Sequence, residues 1–477
     1  MPNSTSAVVR TQTWLKATAV YREPRVIAIL LLGFSSGLPL ALTAGTLAIW
    51  MTEVGVDLTT IGLFAVVATP YSLKFLWAPI VDRMPLPWLT RRLGRRRGWL
   101  LFTQFALIGA IFMLGGGDPV AAPVTTALAA LLVAFASASQ DIVVDAFRIE
   151  SLDEEQLGAG AAMYVFGYRV AMLVSGAGSL WAATHVSWAS VYTLMAALVL
   201  VGVLTTLMSR EPSRRAETVA TAANALGHRA LDLAGVASGR LRAAADWVVD
   251  AVINPFAEFM TRRGWVVILL FVVFFKFGDT LAGAMTNPFL VKIGFTKTEI
   301  AEIAKVFGFG ATMAGLFLGG ALINGAGIIR SLWVTGVLQL VSNLMFAVQA
   351  AAGASLPLLA FTIGFENLAS GMGTAAFIAY LSSLCNISYT ATQYALLTSF
   401  MAVARTWLSA PSGWLVEHVD WASAAHGLVG TLSGSVAEQI NWIGFFLLTT
   451  VAALPGLALL AWVTSRTKAA TAVASAE

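Results

Sequence analysis

Ten ionisable side chains lie inside stretches of sequence that are otherwise apolar. They are Lys74, Asp141, Asp145, Arg169, Lys276, Asp279, Glu302, Lys305, Glu366 and Arg405. If these stretches cross a membrane, an ionisable group at the centre costs at least about 2.5–3.5 kcal/mol, so each group needs a partner or a task. Two kinds of chemistry suit them: the cations can bind an anionic ligand, and the acids can take up a proton.

Arg169, Arg405 and Lys276 are the candidates for binding an anion. Both arginines are central in their apolar stretches, and a guanidinium group matches a carboxylate with two parallel hydrogen bonds. Asp279 lies one helical turn from Lys276, so we expect Asp279 to be the proton site and Glu366 to be the alternative. The opposing hypothesis is that these charges only form ion pairs that hold helices together.

A second acidic pair, Asp141 and Asp145, is also spaced by one helical turn. One of two neighbouring carboxylates holds its proton more firmly, which suits a proton relay. The alternative is a gate in which Asp145 bonds to basic residues of the 81–97 loop. The residues predicted to form that gate are Asp82, Arg83, Arg95, Arg96 and Arg97.

Composition indicates which elements must hold these groups. Of the 477 residues, 58% are hydrophobic and only 11% are charged, whereas a soluble domain carries about 25% charged residues. The chain is therefore predicted to be a polytopic membrane protein. Its single cysteine, Cys385, excludes a disulfide scaffold and a cysteine-based metal site, and its four histidines lack metal-binding spacing.

Motifs for catalysis and for ATP hydrolysis are missing from the sequence. We find neither a nucleophile–base pair nor a Walker motif, so we expect no enzyme activity, no cofactor, no metal and no ATP-driven step. The basic residues lie in short loops between apolar runs, which argues against a nucleic-acid partner. An ion gradient is then the remaining energy source for transport.

Twelve apolar runs are long enough to cross the hydrocarbon core as helices, and they are numbered here as spans one to twelve. They are 26–50, 59–80, 98–116, 122–146, 158–183, 188–208, 265–290, 298–322, 331–352, 356–383, 390–415 and 440–463. Open strands are excluded, because lipid offers no hydrogen-bond partner. Nearly all Lys and Arg residues outside the spans fall on the N-terminal side of the membrane, so both termini are predicted to be cytoplasmic.

The longest loop divides the spans six and six. The predicted segments are a cytoplasmic tail at 1–25, an N-terminal bundle at 26–208, a cytoplasmic loop at 209–264, a C-terminal bundle at 265–463 and a tail at 464–477. Apolar residues recur at helical spacing over 226–252, which predicts an amphipathic helix on the inner membrane surface or, alternatively, a solvated tether. Spans three, six, nine and twelve carry no charge, so we expect every third helix to face lipid.

A set of short motifs follows the order found in a known family. These are Gly33–Leu40, Lys74–Pro79, Asp82–Arg83, Gly94–Trp99, Ser139–Ala146, Gly167–Arg169, Lys276–Asp279, Phe365–Asn367, Gly371–Thr374 and Ala391–Leu396. In these motifs the chain resembles AmpG-type muropeptide permeases of the major facilitator superfamily. The predicted fold is accordingly an all-α polytopic membrane protein with 12 transmembrane helices in two six-helix bundles.

The resemblance also implies a function. It implies proton-coupled import of anhydro-muropeptides, which are GlcNAc-1,6-anhydro-MurNAc peptides, across the inner membrane for cell-wall recycling, with an indirect role in β-lactamase induction. The alternatives are a carrier of another anionic substrate, such as an acetyl-CoA-like molecule, and a non-transporting membrane assembly factor. The expected partners are the muropeptide, protons and the lipid bilayer, and the expected state is a monomer.

A bulky anionic ligand with sugar rings extends the set of candidate binding residues. Aromatic side chains suit sugar faces, and polar side chains within the matching motifs suit the remainder of the ligand. The additional candidates are Lys74, Gln140, Tyr168, Asn367, Gln393, Trp50 and Phe365.

Overall fold

The structure is a computed structural model in which the described residues are entirely helical or irregular. The described residues are 19–57, 60–61, 64–212, 242, 246, 249, 253–262, 264–409, 412–419, 421 and 434–474. The amphipathic helix predicted within 226–252 lies almost wholly outside these ranges.

Spans one to six are helical over most of their described residues. Their helices are Pro24–Thr43 and Gly45–Glu53 in span one; Phe64–Ala68, Thr69–Leu73, Lys74–Leu76 and Ala78–Arg83 in span two; Arg95–Gly115 in span three; Pro123–Ser151 in span four; Leu157–Leu173, Val174–Gly178 and Ser179–Ala183 in span five; and Trp188–Leu198 and Leu200–Met208 in span six. Span two was expected to be one helix, but Pro70 and Pro79 each lie in the first turn of a new one. Proline lacks the N–H group that would continue the preceding helix.

Spans seven to twelve follow a short helix, Asn254–Thr261. Their helices are Trp265–Phe274 and Phe277–Lys292 in span seven; Ile300–Phe307 and Gly308–Ala326 in span eight; Ile328–Ala352 in span nine; Leu356–Ser383 in span ten; Thr390–Ser409 and Ser412–His418 in span eleven; and Gly434–Ala452 and Leu454–Ala474 in span twelve. Span seven is interrupted at Lys276, which lies between its two helices.

Length and hydropathy mark most of these helices as membrane-spanning. Within the described ranges, nine helical segments are long and apolar enough to cross a membrane, and spans ten and eleven are the two helices of a further, bent pair. Span two, in its four short helices, completes the set predicted from the sequence.

The chain divides into two compact units. The N-unit comprises Thr18–Arg263 together with Leu381–Ser399, and the described part of the C-unit comprises Gly264–Tyr380 and the residues from Phe400 onward. The N-unit therefore includes the end of span ten and the beginning of span eleven, although both follow the central loop in the sequence.

Glycines allow close helix packing within each unit. A side chain at Gly33 of span one would collide with the main-chain carbonyl of Tyr164 in span five, and one at Gly315 of span eight would collide with that of Leu368 in span ten. Small residues of this kind let two helix backbones approach closely. In lipid the hydrophobic effect does not drive helices together, so their association depends on such close packing.

The variant Gly33→Val tests this packing. We expect it to lower the free energy of unfolding by about 1–3 kcal/mol, because the added side chain must displace the span five backbone. Thermal unfolding in detergent, followed by tryptophan fluorescence, would measure the change. The matched control is Gly109→Val, since a Cβ at Gly109 meets nothing within 4 Å. Equal melting temperatures for the two variants would contradict the packing role.

Candidate functional site

A buried acid in the N-unit bridges two buried cations. Lys74 Nζ lies 3.7 Å from Asp145 Oδ2, and Arg148 Nη2 lies 3.4 Å from Asp145 Oδ1. The expected bond from Asp145 to the 81–97 loop is therefore wrong: within the described residues its partners are on spans two and four. Asp141, one turn earlier, is buried as well, and its Oδ1 has no hydrogen-bond partner in the described part of the chain.

Arg148 is the residue of this cluster that sequence reasoning missed. Its guanidinium donates to Ser382 Oγ at 3.0 Å and lies over the rings of Tyr164 and Tyr394, at 5.6 and 5.2 Å from their centroids. The side chain is fully buried. The available signal was its spacing, since Arg148 is three residues after Asp145 and falls on the same helical face.

Asp82 binds the N-terminus of the span eleven helix. Its Oδ2 accepts hydrogen bonds from the backbone N–H and the hydroxyl of Thr392, both at 2.7 Å, and its Oδ1 accepts the backbone N–H of Ala391 at 3.2 Å. A carboxylate in this position satisfies free N–H groups of the first turn and complements the positive end of the helix dipole. Arg96 Nη2 donates to the same carboxylate at 2.7 Å.

The other predicted gate residues lie around this contact. Arg96 also pairs with Glu150, which the sequence analysis did not identify. Arg95 donates to the Asp82 main-chain carbonyl, and the Arg83 guanidinium lies 5.2 Å from the centre of the Tyr389 ring.

The last predicted gate residue, Arg97, connects spans three and six. Its side chain donates to the carbonyls of Thr206 and Leu207 at 3.0 and 2.8 Å. Glu211 accepts the backbone N–H groups of Arg96 and Arg97, at 2.8 and 3.0 Å, and so caps the helix of span three. The five predicted gate residues are therefore close together, and Glu150 and Glu211 belong with them.

The C-unit holds the Lys276–Asp279 pair that the sequence predicted. Lys276 Nζ lies 3.9 Å from Asp279 Oδ2 and donates to Thr374 Oγ1 of span ten at 3.2 Å. Asn343 of span nine donates to Asp279 Oδ1 at 3.5 Å. Both charged side chains are largely buried. The contacts are long, so the pair is held less tightly than the Asp82 carboxylate.

Span nine has two different faces. The residues Val334, Val337, Val341 and Leu344 are exposed, as expected of a helix that faces lipid. The opposite face is buried and polar, with Thr335, Gln339, Ser342 and Asn343. Span nine was expected to face lipid, and its exposed face fits that expectation, while its buried face adds Asn343 to the polar site of the C-unit.

Glu366 and Asn367 form a second polar group in the C-unit. Asn367 Nδ2 donates to Glu366 Oε2 at 2.7 Å, and Thr312 of span eight donates to Asn367 Oδ1 at 2.8 Å. Phe365 stacks on Phe361 with centroids 6.0 Å apart. Both rings border an open apolar groove of about 480 Å³, whose lining residues are Phe307, Gly310, Ala311, Ala314, Ala360, Phe361, Gly364, Phe365 and Leu368.

Three predicted ligand-binding residues make contacts within the N-unit instead. Trp50 is buried against the rings of Trp188 and Tyr192, so it has no exposed face for a sugar. Gln140 Nε2 donates to Ser35 and Ser36 at 3.2 and 3.3 Å. Gln393 bonds to the Asn386 N–H, to the Pro255 carbonyl and to Glu258.

The two predicted arginines differ in what the structure describes. Arg169 is exposed on its unit, and the neighbouring Tyr168 is half-buried. Arg405 lies in the helix of span eleven, but its side chain is outside the described part of the chain. Within the described residues, no group of three or more acidic, histidine or cysteine side chains is arranged to hold a metal ion.

Comparison with known proteins identifies the family to which this helical architecture belongs. The profile of the Major Facilitator Superfamily matches residues 29–409. The chain belongs to the Major Facilitator Superfamily. It is therefore a transporter rather than an enzyme, with the all-α fold of the superfamily, and a multi-pass protein of the inner membrane.

Individual members of the superfamily share a substantial fraction of their sequence with this chain. The chain is 39% identical to the anhydromuropeptide permease of Escherichia coli (strain K12) over 92% of this chain and 80% of that protein. It is 33% identical to the transporter AmpG 4 of Rickettsia conorii over 95% of this chain and 99% of that protein. The resemblance to AmpG-type permeases is thereby confirmed.

Two solved superfamily structures share the fold at low identity. The transporter FucP in its outward conformation has a TM-score of 0.59 at 13% identity, covering 91% of this chain and 98% of FucP. The proton:xylose symporter XylE has a TM-score of 0.55 at 12% identity, covering 92% and 95%. These similarities support the fold alone.

The variant Asp82→Asn tests the carboxylate charge that binds both Arg96 and the N-terminus of the span eleven helix. Because the Asp82 and Arg96 side chains are almost completely buried, we expect a loss of about 3 kcal/mol in the free energy of unfolding. Thermal unfolding in detergent would measure it. The control is Arg25→Ala, which breaks an exposed pair 3.9 Å long and should cost less than about 1 kcal/mol. Similar losses in both variants would contradict the role of Asp82.

Proposed function

We propose that this transporter imports anhydro-muropeptides together with protons across the inner membrane, for cell-wall recycling. The observation that carries the proposal is the 39% identity, over 92% of the chain, to a protein named for transport of that ligand. Both termini would face the cytoplasm, as the distribution of Lys and Arg predicts. The protein would act as a monomer, and its effect on β-lactamase induction would be indirect, through the ligand that it delivers.

The ligand carries carboxylates, and the protein supplies buried or membrane-embedded cations for them. We assign this task to Arg169, Arg405 and Lys276. Lys276 is already close to one carboxylate, that of Asp279, which supports its ability to bind another. Tyr168, Asn367 and Phe365 remain the candidates for the other parts of the ligand.

Arg169→Lys tests the carboxylate assignment. Lysine keeps the charge but cannot reproduce the planar fork of the guanidinium, so we expect the affinity for muropeptide to fall about tenfold or more. Binding by the purified protein and uptake by proteoliposomes would both report it. The control is Lys305→Ala, because Lys305 is exposed and bonds to Asn287 at 3.2 Å. Unchanged affinity in a normally inserted Arg169→Lys protein would refute the assignment.

Proton coupling is assigned to Asp279. While Lys276 is paired with Asp279, the carboxylate is stabilised in its charged form. A ligand carboxylate that binds Lys276 takes that partner away, and the buried Asp279 then gains a proton more readily. Binding of ligand and proton are linked in this way, and the linkage is reciprocal.

The Asp82 cluster is assigned to gating. Asp82, Arg96 and Glu150 tie the ends of spans two, three and four to the beginning of span eleven within the N-unit. Breaking these contacts is the step that would open this end of the pathway. The Asp141–Asp145 pair is the alternative proton relay proposed for the N-unit, with Lys74 and Arg148 as the cations that Asp145 contacts.

The transport and coupling assignments share one experiment. Wild-type protein in proteoliposomes should accumulate labelled anhydro-muropeptide when an inward pH gradient is imposed, and Asp279→Asn should lose accumulation while keeping downhill exchange. Absence of gradient-dependent uptake by the wild type would refute proton-coupled import. If Asp279→Asn still concentrates the ligand and Glu366→Gln does not, the proton carrier is Glu366.

A further inference from the structure

Gln339 presents an unusual polar group inside the C-unit. The residue is only 2% exposed, and neither its Oε1 nor its Nε2 has a hydrogen-bond partner among the described residues. An amide buried without partners costs about 1–3 kcal/mol. If this side chain only packed against neighbouring helices, leucine would fill the position without the cost of burying an unpartnered amide.

The neighbours of Gln339 place it beside the Lys276–Asp279 pair. The Gln339 amide lies against Gly373, at the position where a Cβ would stand if Gly373 were any other residue. The next residue, Thr374, is the one that accepts the hydrogen bond from Lys276. Asn343, one turn along span nine from Gln339, donates to Asp279. Gln339 thus lies on the face of span nine that carries Asn343, against the span ten backbone next to Thr374.

The glycine at position 373 supports the same arrangement. A Cβ there would be 3.3 Å from Gln339 Oε1 and closer still to Nε2, so the backbone of span ten leaves the space that the amide occupies. Gln104 of span three gives a contrast in the N-unit. Its amide is buried as well, but it exchanges hydrogen bonds with the Thr206 hydroxyl at 3.2 and 3.3 Å. Gln104 thus has hydrogen-bond partners that join spans three and six, whereas Gln339 has none among the described residues.

We propose that Gln339 is a positioning residue for the Lys276–Asp279 pair. When Lys276 and Asp279 separate, Gln339 becomes the hydrogen-bond partner of the one that has lost its opposite charge. When the pair separates, Gln339 Nε2 can donate to an ionised Asp279, and Gln339 Oε1 can accept from a protonated Asp279 or from the Lys276 ammonium. One neutral side chain can therefore serve each state of the pair without adding charge to a buried site. The inference rests on the proposed function, because it takes Asp279 as the proton carrier.

The apolar variant Gln339→Leu separates this role from a structural one. Replacing an unpartnered amide by an apolar group removes a cost, so we expect the melting temperature in detergent to rise. At the same time, the accumulation of labelled muropeptide under a pH gradient should fall about tenfold, because the released charge then has no partner. In the matched control, Gln104→Leu, we expect the melting temperature to fall, because the Thr206 hydroxyl loses its hydrogen bonds with Gln104, and the accumulation ratio to stay unchanged.

A spectroscopic measurement tests Gln339 without depending on transport. Infrared difference spectra of the reconstituted full chain, taken between high and low pH, should contain a carboxyl C=O band that Asp279→Asn abolishes. We expect Gln339→Leu to shift this band and Gln104→Leu to leave it in place. A band that Gln339→Leu does not move, or a lower melting temperature with unchanged accumulation, overturns the role of Gln339 alone. A wild type without the band overturns the assignment of the proton to Asp279, and the role of Gln339 with it.

Discussion

An ionised side chain that leaves water keeps its charge only if neighbouring dipoles or opposite charges replace the lost hydration. Arg96 and Arg148 are both fully buried. Arg96 pairs with the carboxylates of Asp82 and Glu150, and Arg148 pairs with the carboxylate of Asp145 and donates to the Ser382 hydroxyl. The Asp82 carboxylate accepts hydrogen bonds both from the Arg96 guanidinium and from N–H groups in the first turn of the span eleven helix. The packing of spans two, three, four and eleven within the N-unit depends on these pairings, because separating any of the helices would leave a charge without a partner.

The two polar clusters differ in how completely their groups are bonded. The Asp82 carboxylate has four hydrogen bonds, three of them at 2.7 Å. The Asp279 carboxylate has one at 3.5 Å and an ion pair at 3.9 Å. Buried networks whose groups are all satisfied make a structure rigid. A carboxylate with few and long contacts has fewer hydrogen bonds to break when it changes partner. This difference suits a lock in one unit and a site of ligand and proton exchange in the other.

The sequence predicted the helices well and the contacts unevenly. Apolar runs reveal membrane spans directly, because each span must satisfy its own backbone in lipid. The Lys276–Asp279 pair was predictable, since both residues are on one helix. Arg148 lies two residues beyond the predicted end of span four, and its partners Ser382 and Tyr394 are more than two hundred positions away, so spacing could not reveal them. Gln339 carries no charge, so the presence of ionisable groups in the apolar spans gives no signal for it.

Span seven also has to enter the membrane before it can act there. Its first helix, Trp265–Phe274, consists of ten apolar residues, and the interruption at Lys276 comes only afterwards. Apolar residues each favour insertion by about 0.3–0.6 kcal/mol, while a central Lys or Asp opposes it by about 2.5–3.5 kcal/mol. The apolar segment thus offsets much of the cost of placing two charges in one span. Its composition is constrained by biogenesis, even though none of its side chains takes part in the polar site.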